Sequence, residues 1–241
     1  MIKNETSILV VLAHPDDEFA TAGLLIRAHN RGLKTHLVCA TRGEAGRIND
    51  FKNPSASEKK QIRTKELKQS CELLGITSLE FLELEDSKGN SWQVDNAINR
   101  LSSIFNEKNP DMVITFDRNG GNGHPDHKAI SNITAKTFKR LYTDQDKKLY
   151  HLTLHPRSII DEELEKFTFP EEFKRKILKC FSIADDKVTS LVKLGEEELY
   201  IKLKLLEIYK SQFPDTNGNY YKMPLEVIRK IAVFESYTLV E

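Results

Sequence analysis

The sequence predicts an α/β fold: one domain built on a Rossmann-like open, mostly parallel sheet with helices on both faces. Two observations predict it. Apolar runs rich in leucine and β-branched residues, without polar alternation, read as strands covered on both faces. Segments of helical character separate these runs, and strand–helix alternation implies parallel strands joined by right-handed crossovers.

"ILVVLA", Ile8 to Ala13, is the first such strand. A helix is expected from about Glu18 to Asn30, with Gly32 near its end. Leu33 to Ala40 reads as the second strand, and a polar loop, Thr41 to Ala56, follows it. Ser57 is suited to cap a helix running to about Leu74, where Gly75 is a natural stop. Ser78 to Leu84 reads as the third strand, Val94 to Phe105 as a helix, and Met112 to Phe116 as the fourth strand after Pro110. A glycine-rich loop, a helix over about His127 to Leu141 and a fifth strand, Leu149 to Leu154, come next. The last third is less regular, with a helix at Glu196 to Ser211 and a closing strand near Ala232 to Leu239. No repeat or linker-like stretch divides the chain. A single domain over 1–241 is expected, with 1–155 as the core and 156–241 as pocket-shaping and C-terminal elements.

The 241 residues carry 36 Lys plus Arg and 36 Asp plus Glu, a formal net charge of zero. Scattered neutral charge gives no footprint for nucleic acid or an acidic membrane surface. The basic cluster at Lys59 to Lys65 is flanked by acids and reads as a solvated helix face. Cys39, Cys71 and Cys180 are far apart, with no C-x-x-C pair, so neither a thiolate zinc site nor a disulfide framework is suggested. Reduced thiols, and a first apolar run too short for a signal segment, point to a cytoplasmic protein.

Two motifs carry the chemistry. The first strand ends in "HPDDE", His14 to Glu18, and the fourth strand is followed by "GGNGHPDH", Gly120 to His127. Proline and acids suit a helix start, but a histidine gains nothing there when charged. The tripeptide "HPD" thus occurs twice, each time after a strand and before a helix. A second potential ligand stands three residues after each histidine, Asp17 after His14 and His127 after His124. Ligands bind outside the carboxyl ends of strands in open α/β sheets. If strands one and four are close, the two tips bring three histidines and several carboxylates together. Two histidines and a carboxylate with an open position make a catalytic zinc set. The spare groups suit hydrolysis of an amide or ester. Spacing alone leaves open which histidine binds metal.

In these motifs the sequence resembles the LmbE-like, or PIG-L, superfamily of metal-dependent de-N-acetylases. "AHPDDE" at Ala13 to Glu18 and "GHPDH" at Gly123 to His127 look like its two metal motifs. "TRGEAG" at Thr41 to Gly46, "R-x-x-E-L" at Arg63 to Leu67 and the Lys202 to Gln212 helix look like supporting signatures. The resemblance implies that His14, Asp17 and His127 bind the metal, zinc by family habit, while ferrous iron suits the same donors. It implies Asp16 as general base on the activated water, His124 as the group stabilising the tetrahedral intermediate, and Asp126 as the residue orienting His124. Glu44 and Arg47 are expected to face substrate; Arg63 and Glu66 are expected to form a structural pair. His29, His36, His151 and His155 match no motif.

The implied function is zinc-dependent removal of an N-acetyl group from an amino sugar or its glycoside. The implied partner is that small molecule, with no nucleic acid or membrane; a homo-oligomer is allowed. An amidase acting on a bulkier N-acyl conjugate stays open. A Rossmann-like nucleotide-binding or sensor module is the third alternative, although no G-x-G-x-x-G follows the first strand.

Overall fold

The computed structural model describes residues 6–48, 54–143, 146–213, 219–220 and 223–240. Strand β1 (Ser7–Leu12) is buried along its length, as its unbroken apolar run requires. It pairs in parallel with β2 (Lys34–Cys39) on one side and with the later strand Met112–Phe116 on the other. β3 (Ser78–Phe81) lies outside β2, so Met112–Phe116 is β4, and β5 (Lys148–Thr153) continues beyond it, all parallel. β6 (Ser190–Lys193) and β7 (Phe234–Leu239) complete the sheet in the order β3-β2-β1-β4-β5-β7-β6, with β7 antiparallel to both its neighbours. The chain therefore leaves β1 in one direction and returns to its other side at β4. That reversal opens a crevice at the carboxyl ends of β1 and β4, the place where such sheets bind ligands.

Helices α1 (Ala22–Asn30), α2 (Ala56–Leu74) and α7 (Glu196–Ile208) pack on one another, and α3 (Val94–Lys108) packs on α4 (Pro125–Tyr142). Three shorter helices, α5 (Arg157–Glu165), α6 (Glu171–Phe181) and α8 (Leu225–Ala232), gather Ile160, Leu164, Ile177, Val227, Ile228 and Ile231 into a second, smaller core. These helices and β6 fall in the stretch where the sequence shows no regular period.

Other boundaries differ for local reasons. α1 begins at Ala22, not Glu18, because Asp16 sits at φ 100° and Asp17–Thr21 forms a 3-10 turn. Ser55, not Ser57, caps α2: its Oγ accepts the Glu58 N–H at 3.3 Å, and the Glu58 carboxylate accepts the Ser55 N–H at 2.8 Å. β3 stops at Phe81, not Leu84, since Glu83 turns to φ 52°. Asn49 to Asn53 of the long polar loop lie outside the described residues.

One tether fixes α1 to the far strand. Thr21 offers α1 no side-chain cap; instead the Gly23 and Leu24 N–H groups donate to the Glu235 carboxylate of β7 at 2.7 and 3.0 Å. The same carboxylate accepts from Lys202 Nζ at 2.8 Å and from Tyr237 OH at 3.0 Å. Lys202 and Glu235 are both buried, with side chains 3% and 0% exposed. Removing one partner of such a pair strands the other charge and two helix donors. Glu235→Leu is expected to cost about 3–5 kcal/mol in urea unfolding, with part regained in the Lys202→Met double variant. A cost below about 1 kcal/mol would show that the tether is incidental.

Candidate metal centre

The two "HPD" tips meet at the switch point. β1 delivers His14 directly. The Ala13 carbonyl just before it accepts the Thr41 N–H at 2.9 Å and the Thr41 hydroxyl at 3.0 Å, which holds the loop after β2 against this tip. Asp17 folds back so that its Oδ2 accepts the His14 N–H at 2.7 Å. From the other side, His124 caps α4, its Nδ1 accepting the Asp126 N–H at 3.2 Å, and Pro125 occupies the first helical position. His127 follows in the first turn, stacked on Phe116 at the end of β4 with ring centroids 4.0 Å apart.

The tautomers follow from the partners. His14 Nε2 lies 3.1 Å from Asp126 Oδ2 and 3.3 Å from Asp86 Oδ1. His127 Nδ1 lies 3.2 Å from the Gly120 carbonyl. Carboxylates and carbonyls only accept, so each of these ring nitrogens carries the proton. The opposite nitrogens, His14 Nδ1 and His127 Nε2, face each other at 3.2 Å. Asp17 lies alongside, Oδ2 at 3.4 Å from His14 Nδ1 and Oδ1 at 3.4 Å from His127 Nε2. In the metal-free protein His14 holds a proton between these acceptors, and a cation that replaces it would find two nitrogens and a carboxylate turned towards it. A tetrahedral ion bonded at about 2.0–2.1 Å to two nitrogens holds them about 3.3 Å apart. The donor set therefore fits a metal ion in both chemistry and spacing.

Among the described residues, two triplets of candidate ligand atoms lie within 4.8 Å of one another: His14, His124 and His127, and His14, Asp86 and Asp126. The second is engaged otherwise. Asp126 accepts the Ser87 and Gly89 N–H groups, both at 2.7 Å, and Asp86 accepts the Ala45 N–H at 2.8 Å. In the first triplet, His124 spends Nδ1 on its cap, and its ring centroid stands 4.9 Å from that of His14 and 5.0 Å from that of His127.

Electrostatics match this geometry. Burial works against charge on His14, yet hydrogen bonds to Asp126, Asp17 and Asp86 hold its pKa well above the usual imidazole value. Burial likewise opposes charge on Asp17, but the His127 and His14 rings hold its carboxyl well below the usual range. Asp16 behaves oppositely. Burial pushes it up to about 7, with the Arg63 guanidinium pulling down and the Asp17 and Glu18 charges pushing further up. Burial and then the charges on His14 and His127 lower His124.

A model of the PIG-L family, GlcNAc-PI de-N-acetylase, matches residues 9–138, which span both tips. The chain belongs to the PIG-L family. It is 37% identical over 140 residues to a probable N-acetyl-alpha-D-glucosaminyl L-malate deacetylase 2 of Bacillus cereus, covering 57% of this chain and 63% of that protein. It is 31% identical over 192 residues to a 1D-myo-inositol 2-acetamido-2-deoxy-alpha-D-glucopyranoside deacetylase of Thermobifida fusca, covering 68% and 67%. The chain thus spans about two thirds of the length of these relatives. The structure of the N,N'-diacetylchitobiose deacetylase from Pyrococcus horikoshii shares the fold, with a TM-score of 0.68 and 19% identity over 100% of this chain and 87% of that one.

In this PIG-L family member the structure brings His14, Asp16, Asp17, His124, Asp126 and His127 together. It corrects two expectations. The Asp126 carboxylate reaches the His14 ring rather than orienting His124, because α4 turns it under the β1 tip, and it meets His124 through its backbone N–H. Arg63 is no partner for Glu66. It is 4% exposed and donates to the Pro15 carbonyl and, at 2.9 Å, to Asp16 Oδ2, while Glu66 accepts the Ser211 N–H at 2.9 Å and its hydroxyl at 2.6 Å. Glu44 holds the Asp86 N–H at 3.0 Å, and Arg47 is exposed with its carbonyl accepting from Gln212 at 2.8 Å.

Asp86 is the site residue the sequence conceals, since nothing separates it from neighbouring Glu83 and Glu85. Arg63 leaves a trace: it falls on the buried stripe of α2 with Glu66, Leu67, Ser70 and Leu74, where a cation needs an acceptor.

Beside the centre lies a cavity of about 510 Å3 that touches it through Asp16, Asp17 and His127. Phe173, from the segment expected to shape a pocket, lines it, and so does His155.

Two outcomes follow. A Cβ on Gly89 would stand 2.7 Å from Asp126 Cα and 2.8 Å from its backbone N, so Gly89→Ala pushes Asp126 off His14. Metal affinity, read by competition with a chelating dye, is expected to fall about 10–100-fold; an unchanged affinity would remove Asp126 from the centre. Because His14 holds its proton above the usual pH, metal entry must displace it. Affinity should therefore rise with pH, about tenfold per unit below the His14 pKa, with proton release seen in calorimetry across buffers.

Proposed function

We propose that this protein is a zinc-dependent hydrolase that removes the N-acetyl group from an amino sugar or its glycoside. The observation that carries the proposal is the facing pair His14 Nδ1 and His127 Nε2, 3.2 Å apart with Asp17 alongside and Asp16 adjacent. His14, Asp17 and His127 would hold the ion, and ferrous iron suits the same donors. When bound, a divalent metal lowers the pKa of a water and polarises the amide carbonyl.

The chain's residues do the rest. Asp16, with a pKa of about 7, is poised to take a proton from water near neutral pH. Arg63 fixes its carboxylate by donating to Oδ2 at 2.9 Å, and donates also to the Pro15 carbonyl just before Asp16, whose φ is 100°. His124, beside both metal-binding rings, is placed to stabilise the tetrahedral intermediate and to protonate the leaving amine. Asp126 and Asp86 hold the His14 ring, and Gly120 holds the His127 ring. Glu44 serves this site through the Asp86 backbone, and Arg47, exposed on the same loop, would meet a sugar hydroxyl. The family membership and the names of the two relatives support the choice of an N-acetylglucosaminyl substrate. No helix among the described residues is long and apolar enough to cross a membrane, in keeping with a small-molecule substrate met in the cytoplasm.

The test is turnover of N-acetylglucosaminyl glycosides by zinc-loaded protein, with released acetate measured. No acetate from any of them, at full metal occupancy, would sink the proposal. Asp16→Asn, whose side chain tolerates a left-handed backbone, is expected to keep metal and lose at least about 100-fold in kcat. Full activity would remove Asp16 as the base. Arg63→Gln takes away the cation that pulls the Asp16 pKa down, so the acidic limb of the kcat/KM profile should move to higher pH. A limb that stays in place would show that another group sets it.

A further inference from the structure

The hydrolase reading uses the metal centre but assigns nothing to the cavity beside it. Asp16, Asp17 and His127 join the cavity to the reacting groups, and the rest of its wall is mostly apolar: Phe116, Leu152, Phe173, Ile177, Ile228 and Phe234. Its buried polar groups are already partnered. Lys202 is paired with Glu235 at 2.8 Å and stands over the Phe19 ring at 5.1 Å. His155 bonds Ser236 Oγ at 2.9 Å, and burial, then the Lys202 ammonium, lowers its pKa to about 3, so it stays neutral. Lys176 and Cys180 also line it but stand at exposed positions of α6.

A sugar ring needs a hydrogen-bond partner for nearly every hydroxyl, and this wall has few to give. The polar groups lie elsewhere. His124, Glu44, Arg47 and Asp86 are not among the lining residues. The site is thus two-sided, with a polar side that carries the group placed to protonate a leaving amine and an apolar side that begins at the proton acceptor. An acetyl methyl would leave most of about 510 Å3 unfilled.

We propose that the apolar cavity receives the acyl side of the scissile amide, so that the chain prefers N-acyl amines bearing a medium-length alkyl chain over their N-acetyl counterparts. This rests on the hydrolase reading and moves its preferred acyl group from acetyl to a longer chain. The step is ordinary amide hydrolysis. The oxygen of water bonds to the acyl carbon, the C–N bond breaks, the nitrogen takes a proton, and a fatty carboxylate leaves beside the free amine. Phe173 and Ile231 set the length of chain accepted.

The experiment compares N-acetyl-, N-butanoyl- and N-octanoylglucosamine with the octyl glycoside of N-acetylglucosamine, all below their micellar concentrations, on zinc-loaded protein. Each buried methylene is expected to raise kcat/KM about threefold, so burial of only three of the six extra methylenes already puts the octanoyl compound about 30-fold above the acetyl compound. Ile231→Trp should lower the octanoyl-to-acetyl ratio at least tenfold, and Phe173→Ala, which enlarges the cavity without crowding the fold, should move the optimum to longer chains. Calorimetric binding of N-octanoylglucosamine to metal-free protein gives a readout independent of turnover, and the same preference is expected there. Cleavage of the acetyl compound with no gain from chain length would overturn the proposal and leave the hydrolase reading intact. A gain confined to the octyl glycoside would overturn it too, since the cavity would then take the amine side. Tight octanoyl binding that Ile231→Trp abolishes, without turnover of any compound, would support the cavity assignment and remove the hydrolase reading instead.

Discussion

Two imidazole nitrogens point at each other across the crevice between β1 and β4, and most of what is specific to this fold serves to hold them there. His14 Nδ1 and His127 Nε2 come from residues 113 apart in sequence yet stand 3.2 Å from one another. Neither ring is free to turn away. Asp126 and Asp86 grip the far nitrogen of His14, and the Gly120 carbonyl grips that of His127. These grips are themselves anchored, Asp126 by the backbone of residues 87 and 89 and Asp86 by that of residue 45. Donors held this firmly need no rearrangement to receive a cation in place of the His14 proton, because the fold has already brought them together.

The same layout explains why neighbouring carboxylates behave so differently. Asp17 lies between the two rings and is held ionised well below its usual range, whereas Asp16, one residue earlier, is pushed up to about 7 by burial and by the charges beside it. In the proposed reaction one acid would hold the cation while the other exchanges a proton near neutral pH, a division of labour set by environment rather than residue type. Arg63 makes the arrangement sustainable. It answers the buried carbonyl of the strained turn and keeps the Asp16 carboxylate ionisable despite its burial.

The doubly wound core was legible because fully buried strands and their helices have distinct periods, and the fourth strand, Met112–Phe116, appears with its expected bounds. The paired "HPD" tips were legible because the same tripeptide stands twice between a strand and a helix, although His124 also caps its helix. The convergence depends on β1 and β4 being neighbours, and their register, Ile8 opposite Met112, supplies that. What the sequence concealed was either tertiary or acidic. Asp86 is one acid among several, and only the path of the chain after β3 carries it to His14. The orientation of Asp126 depends on the Ser87 and Gly89 amides, which no spacing rule places there. Arg63 looked like half of an i,i+3 pair with Glu66, and the folded chain separates them by giving each a different buried partner. The short helices of the last third pack through a few apolar residues each, too few to set a period, and two of them, α6 and α8, line part of the cavity.

The most direct measurement is anomalous scattering at the zinc absorption edge from crystals of the zinc-loaded protein. A single strong peak bonded to His14 Nδ1, Asp17 and His127 Nε2, with Asp126 and Asp86 remaining on His14 Nε2, is the expected result. A peak between His14, Asp86 and Asp126, or no peak at the switch point, would contradict the view that the facing nitrogens are built around a metal ion.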